Sequence, residues 1–327
     1  MASSSSKRQK RKEPIESVPF DEKRFKTAFH EREFERIRAR KILPELIFQI
    51  NANESPQILR KIEQRGWQLL TSPEGKINGN LIKEFYANAV RYDKKDESYI
   101  SFVRGKMVDF GPMSVMRALK LRSIPFEEES YHLRMDNNPN YDQILRDLCV
   151  PGADWERGAG NKQKFIKRTD LTPEAKGWFE LVRRSILPAA NNSEVNLERA
   201  TMVHCILKGG EIKVHEIIAQ GIRKMAEKSD ARGTLGYPST IYRLCKKVGV
   251  EFEDEDHVWI KEGIPITFRR MNAAASPIPQ KKQRKSTGPQ GVEGQALEGQ
   301  APQTLDMHQL QEALDGLSRQ YLEGQGA

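Results

Sequence analysis

Through the middle of this chain, apolar residues return every three or four positions, and that spacing predicts helices. The clearest run is Leu171 to Val250, which reads as four helices in succession. The first opens at Thr172-Pro173-Glu174. There a hydroxyl is placed to cap, and a proline stands at the first helical position, where its missing N–H costs nothing. Ala175, Trp178, Phe179, Val182 and Ile186 form its inner face, and Pro188 closes it. Ser193 is the expected cap of the second helix, whose face carries Ala200, Val203, Ile206 and Leu207 before Gly209-Gly210. Val214, Ile217, Ile218, Ile222 and Met225 mark the third. The fourth starts at Pro238-Ser239, buries Ile241, Leu244, Cys245 and Val248, and ends at Gly249.

Upstream, mixed charge from Asp21 to Ile50 with interspersed Phe25, Phe29, Phe34, Ile37 and Ile42 suits a surface helix, interrupted or ended near Pro44. Further helices are expected over Ser55–Arg65, ahead of a wedging Trp67, and over Asn80–Val90. The period then changes to two. Tyr99 to Val103 alternates, Arg104-Gly105-Lys106 turns, and Met107 to Phe110 alternates again, a small β-hairpin that must lie on helices to be stable. Short helices are expected from Met113 to Leu119 and from Asn140 to Cys149. Pro151 to Asn161 reads as a loop, and Lys164 to Lys167 as extended chain. His257 to Ile260, Gly263 and Ile264 to Phe268 suggest a second hairpin, with Pro265 confining its last strand to an edge.

Composition changes the picture at both ends. Of 327 residues, 37% are hydrophobic and 30% charged, values that fit a folded middle between segments with little to bury. The expected organisation is a disordered basic arm over 1–20 and a helical domain over 21–268. A low-complexity linker over 269–303, a short amphipathic helix over 304–322 and a tail over 323–327 follow. The fold class is mainly α, a multi-helix globular domain with one or two small β-hairpins and disordered arms. In the amphipathic segment, Met307, Leu310, Leu314, Leu317 and Tyr321 lie on an a/d seam. About two heptads cannot hold a coil alone. The segment is either a transient helix or a self-association or partner-binding one.

The net charge of +9 resembles a nucleic-acid signature until it is located. Lys7, Arg8, Lys10, Arg11 and Lys12, with Lys281, Lys282, Arg284 and Lys285, match it in number, and the charges outside these two clusters sum to zero. Nucleic-acid contact is therefore expected through the arms, by phosphates and without sequence preference. The same clusters are nuclear-import candidates, with a solvated basic tail as the other reading. Either cytoplasm or, as the leading expectation, nucleus follows. No apolar run spans a membrane and no secretory signal is read at the N-terminus, so no membrane partner is expected. Cys149, Cys205 and Cys245 read as buried free thiols of a reducing compartment.

Candidate chemistry is sparse. His204, Cys205, His215 and Cys245 lack the close ligand pairs of a zinc site. Gly158, Gly160 and Gly209-Gly210 precede no Lys-Ser/Thr of a phosphate loop, and no nucleophile elbow is present. A ribonuclease-H-type metal nuclease would need alternating strands and helices that this pattern lacks. Arg223, Lys224, Arg243, Lys246 and Lys247 are placed for a helix-turn-helix, but the Lys228–Tyr237 connection is too long for its turn. No catalytic residue, cofactor or metal is expected.

Several segments together carry a resemblance. Phe85-Tyr86-Ala87-Asn88-Ala89, then Phe102 to Phe110, Trp178, Arg184-Ser185-Ile186-Leu187-Pro188, Glu198-Arg199-Ala200 and Tyr237-Pro238 through Gly249-Val250 follow in order. The region from Asp21 to Phe268 resembles the family known as "putative plant transposon protein", found in plant genomes alongside transposable elements. The resemblance implies transposable-element ancestry and no catalytic residue. Physically, the motifs read as architectural: aromatics under the hairpin, a turn at Arg104-Gly105-Lys106, and helix limits at Pro238 and Gly249. Arg104 is either a phosphate ligand or a solvated turn cation. The leading function is a non-catalytic domain that binds protein or nucleic acid in the nucleus. The alternatives are a transposase-type metal-dependent enzyme and a self-associating structural protein of a retroelement.

Overall fold

The computed structural model describes residues 19–125, 130–230, 233–252 and 258–273, all within one compact unit. The basic clusters, the low-complexity linker and the amphipathic segment at Met307 to Tyr321 lie outside the described residues.

The order of elements begins with α1 (Ala28–Ile37), β1 (Lys41–Ile42), β2 (Phe48–Gln49), α2 (Pro56–Arg65), α3 (Gln68–Thr71) and α4 (Gly79–Asn88). Next come β3 (Ile100–Val103), β4 (Lys106–Asp109), α5 (Pro112–Ala118), α6 (Tyr131–Asp136), α7 (Tyr141–Leu148), β5 (Glu156–Arg157) and β6 (Gln163–Lys167). The remainder is α8 (Pro173–Leu181), β7 (Glu194–Asn196), α9 (Leu197–Leu207), α10 (Val214–Glu227), β8 (Thr234–Leu235), α11 (Pro238–Lys247), β9 (Ile266–Thr267) and α12 (Phe268–Asn272). Among the described residues the fold is mainly helical, with its strands gathered in small sheets.

At its centre α4 is buried along almost its whole length, packed against α1, β3, α10 and α11. Phe85, Tyr86, Trp178 and Phe179 are fully enclosed. Each such side chain contributes about 1.5–3 kcal/mol relative to exposure. The polar tips are satisfied: Tyr86 donates to Gly236 O at 2.9 Å, and Tyr237 to Ile186 O at 2.8 Å. Gly221 on α10 leaves room for that second ring, because a Cβ there would sit 2.1 Å from Tyr237 Oη.

The hairpin β3–β4 forms in antiparallel register, Val103 opposite Lys106, with Arg104 (φ 46) and Gly105 (φ 80) as its two turn residues. Two positive φ values in a two-residue loop match the right-handed twist of the strands. Arg104 is not a solvated turn cation. Its Nε reaches Glu84 Oε2 at 3.2 Å, and Arg24 Nη2 reaches the other oxygen at 2.8 Å, so two arginines neutralise a carboxylate that is 1% exposed.

Three expectations need correction. Among the described residues the hairpin expected over His257 to Phe268 does not form: β9 pairs in parallel with β2, and Trp259 makes an antiparallel bridge to Asn78. The partners come from the far N-terminal part of the chain, which local alternation does not encode. Thr172 and Ser193 do not cap. The Thr172 side chain makes no capping bond, and residues 194–196 instead form β7 against β6, burying Val195 opposite Ile166. Asn196 then caps α9, its Oδ1 accepting from Arg199 N at 3.1 Å. The segment from Pro151 contributes β5, which completes a three-stranded antiparallel sheet, β5-β6-β7. All three cysteines are buried and free. No helix among the described residues is long and apolar enough to cross a membrane.

Candidate anion-binding cleft

Beyond Leu181, α8 widens into a π-turn, Val182–Ile186, closed by Leu187 N donating to Val182 O at 2.7 Å. A π-turn carries an extra residue and shifts the faces on which side chains emerge. Here Arg183 turns inward, 2% exposed, and pairs through Nη2 with Glu180 Oε2 at 2.7 Å. Arg168 Nε joins the same carboxylate at 3.0 Å. Arg184, the next residue, lines a cleft of about 490 Å³.

Four chain segments converge on that cleft. The exit of α1 and β1 supply Arg40 and Lys41, α4 supplies Lys83, the π-turn supplies Arg184, and the segment before β9 supplies Trp259, Lys261 and Glu262. Five cations thus face one carboxylate. The Arg40 side chain is locked by donation from Nε to Gly233 O and from Nη1 to Met225 O, each at 3.3 Å. A Cβ at Gly233 would stand 2.8 Å from Arg40 Nη2, so glycine there makes room for the guanidinium. Lys83 Nζ donates to Arg38 O at 2.5 Å.

Burial presses Arg40 below its usual pKa, with Arg36 adding repulsion, and presses Arg184 down likewise, with Arg183 beside it. Lys83 is lowered by burial and by Arg38. Arg40 is only 2% exposed, yet its Nη2 finds no acceptor among the described residues, and neither do the Nε and Nη1 of Arg184. Buried guanidinium nitrogens without acceptors are costly, and an incoming anion supplies those acceptors.

The far wall is held by backbone pairing. Gly79 N donates to Val258 O at 2.7 Å and Ile260 N to Ile77 O at 2.9 Å. Gly79 permits this approach, since a Cβ would meet Val258 O at 3.2 Å. The pairing leaves Val258 and Trp259 at the surface, with Trp259 51% exposed.

A second cavity adjoins the cleft, sharing Pro44, Ile260, Glu262 and Gly263 with it. It is lined by Glu45, whose carboxyl oxygens accept from Ser239 N at 3.0–3.1 Å and from Thr240 N at 3.2 Å, capping α11 from a distant segment. Burial pushes the Glu45 carboxyl up to about 7, against the pull of those bonds and of Arg243. Elsewhere Asp147 accepts from His204 Nε2 at 2.8 Å, Lys208 Nζ at 3.0 Å and Gln143 Nε2 at 2.8 Å. Arg134 donates to the other ring nitrogen of His204 at 3.0 Å, so that imidazole is neutral, protonated on Nε2, and engaged on both sides. No group of three or more His, Cys, Asp or Glu is placed to hold a metal ion among the described residues.

The cations singled out for a helix-turn-helix divide. Arg223 donates to Glu97 O and Ser98 O at 2.5 and 2.7 Å and lies 3.4 Å from the Tyr99 ring centre. Arg243 bridges Ser72 O and Glu74 at 2.9 and 3.0 Å. These two hold the fold together, while Lys224, Lys246 and Lys247 are exposed. Lys7, Arg8, Lys10, Arg11, Lys12, Lys281, Lys282, Arg284 and Lys285 lie outside the described residues, as do Met307, Leu310, Leu314, Leu317 and Tyr321. Sequence reasoning missed Arg40, Lys83, Arg184 and Lys261. The one local signal was the adjacent arginine pair Arg183-Arg184 within the apolar stretch Trp178 to Leu187.

A helical domain with a cationic cleft is the class that this geometry defines. The chain belongs to the family described as "Putative plant retrotransposon-related domain", whose model matches residues 63–251, and it is a plant transposable-element-derived protein. That span holds Lys83 and Arg184, whereas Arg40, Lys41, Trp259 and Lys261 come from either side of it. Comparison with curated proteins and with solved structures yields no match.

Proposed function

We propose that this domain is a non-catalytic binder of nucleic-acid phosphates, acting in the nucleus, with the cleft as its ordered contact and the basic arms as auxiliary ones. The observation that carries the reading is the convergence of five cations on one cleft, two of them guanidiniums with buried nitrogens lacking acceptors among the described residues. Residues 21–268 carry 42 Lys and Arg against 37 Asp and Glu, a net charge of +5 that is consistent with this reading. Phosphate contacts position a ligand but carry no base information, so sequence preference is expected to be small.

The test is a salt titration of the full chain on one nucleic-acid probe and on a sequence-scrambled one. Lys41→Glu with Lys261→Glu reverses two exposed cations of the cleft. Lys246→Glu with Lys247→Glu makes the same charge change on α11. The first pair is expected to weaken binding about ten-fold or more and flatten the salt slope, the second to do much less, and scrambling to change little. Equal effects from the two pairs would overturn the assignment to the cleft.

A further inference from the structure

We infer that the cleft takes the end of a nucleic-acid strand, with a terminal phosphate monoester on Arg40 and Arg184 and the next phosphodiester on Lys41 and Lys261. This rests on the phosphate-binding role proposed above and names which phosphate is held. Three guanidinium nitrogens of the cleft, Arg40 Nη2 and Arg184 Nε and Nη1, are buried without an acceptor among the described residues. An internal phosphodiester offers two unesterified oxygens and one negative charge. A terminal monoester offers three such oxygens and about 1.5–2 negative charges near neutral pH. Its oxygens therefore match the unanswered nitrogens in number, and charge on the acceptor strengthens each bond.

The local charge points to the same ligand. Arg40, Lys41, Lys83, Arg184 and Lys261 stand against Glu262 alone on the cleft wall, a net charge of +4. Glu180, at the end of α8, is already shared by Arg183, Arg168 and Arg270 at 2.7, 3.0 and 3.9 Å, so it is not free to neutralise Arg184. A single diester leaves most of that charge uncompensated, whereas a monoester followed by a diester brings about three negative charges. Depth separates an end from a mid-strand phosphate. Arg40 is 2% exposed and held by Gly233 O and Met225 O, whereas Lys41 and Lys261 are exposed. An internal phosphate is esterified on both sides and would have to carry a sugar inward to reach buried donors. A terminal one is tethered on one side only, so it enters first and leaves the rest of the strand towards the lysines. A cleft of about 490 Å³ suits one small ligand, and a terminal nucleotide is of that size.

The experiment uses the full chain and internally labelled oligothymidylates of one length, read by fluorescence anisotropy. The ends compared are hydroxyls only, a 5′-phosphate, a 3′-phosphate, and each phosphate capped as its methyl ester. The basic arms meet every strand alike, so a difference between strands reports on the end, and this comparison needs no variant. One of the two phosphate ends is expected to bind about ten-fold tighter than the hydroxyl-ended strand, and its methyl ester to lose most of that gain. Arg184→Lys keeps the charge but not the planar fork, and should cut the gain to less than about two-fold, with thermal unfolding as the check on its fold. If all ends bind equally while Lys41→Glu with Lys261→Glu weakens every strand, the strand end is refuted and the phosphate cleft stands. If neither Arg184→Lys nor the lysine pair weakens any strand, the cleft itself is refuted. A gain that survives the methyl ester, or survives Arg184→Lys, would also overturn the inference. So would competition as strong as the strand's own from thymidine monophosphate, in favour of a free nucleotide, or from poly-glutamate, in favour of an acidic protein segment.

Discussion

Glu45 gives the domain a pH dependence that its composition does not suggest. The carboxyl is buried, 8% exposed, and its protonated form is retained in the fold up to about 7, whereas the ordinary value is 4.5. Below 4.5 the folded and unfolded chains both hold the proton, and the contribution to stability is full. Between 4.5 and about 7 the unfolded chain releases the proton and the folded one keeps it, so stability falls as pH rises. Across that window the loss is about 3 kcal/mol, at roughly 1.4 kcal/mol per pH unit. His30, His204 and His215 act in the opposite sense, because burial holds each below 6.5 and acid must charge them. Comparison with Glu45→Gln removes their contribution, since glutamine keeps an oxygen for the Ser239 and Thr240 N–H groups but does not titrate. Urea unfolding of the two proteins across the window should give free energies that diverge towards low pH, with the wild type gaining about 3 kcal/mol relative to the variant. Parallel curves would refute the reasoning.

Gly221→Ala is expected to destabilise by about 1–3 kcal/mol despite the better helix propensity of alanine, because the new Cβ drives into Tyr237. Urea unfolding measures the loss, and Tyr237→Phe in the same background should recover part of it. Asp147 is held below its ordinary 3.8 because hydrogen bonds from Gln143, His204 and Lys208 outweigh the burial that would raise it. Its contribution is present above 3.8 and lost as pH falls further, so in thermal unfolding Asp147→Asn should lose about 1–2 kcal/mol near neutrality and show a shallower acid decline. Neutralising Lys7, Arg8, Lys10, Arg11 and Lys12 together with Lys281, Lys282, Arg284 and Lys285 should release a fluorescent fusion to the cytoplasm. Nuclear retention would show that the signal lies elsewhere.

Features encoded within a few residues were legible in the chain. Pro173 and Pro238 at first helical positions and Gly249 at positive φ all mark real helix limits. The alternation around Arg104-Gly105 specified the hairpin and its register, since a two-residue turn leaves the strands one way to pair. Periodicity likewise identified most of the inner faces of α8 to α11, because burial repeats with the helical turn, but Val248, expected inside, is 39% exposed.

Pairing between distant segments was decided only by the tertiary structure. Two residues of β9 have no pattern that points to β2, and Ser193 was a chemically suitable cap until Val195 found its place opposite Ile166. Arg104 had the look of a solvated cation because the carboxylate it neutralises, Glu84, sits on another element. The cleft is the largest case. Arg40, Lys83, Arg184 and Lys261 are widely separated along the chain, and a net charge contains no positions. Electrostatic potential depends on distances, so folding gathers these four on one cleft with a field that no count of residues reveals.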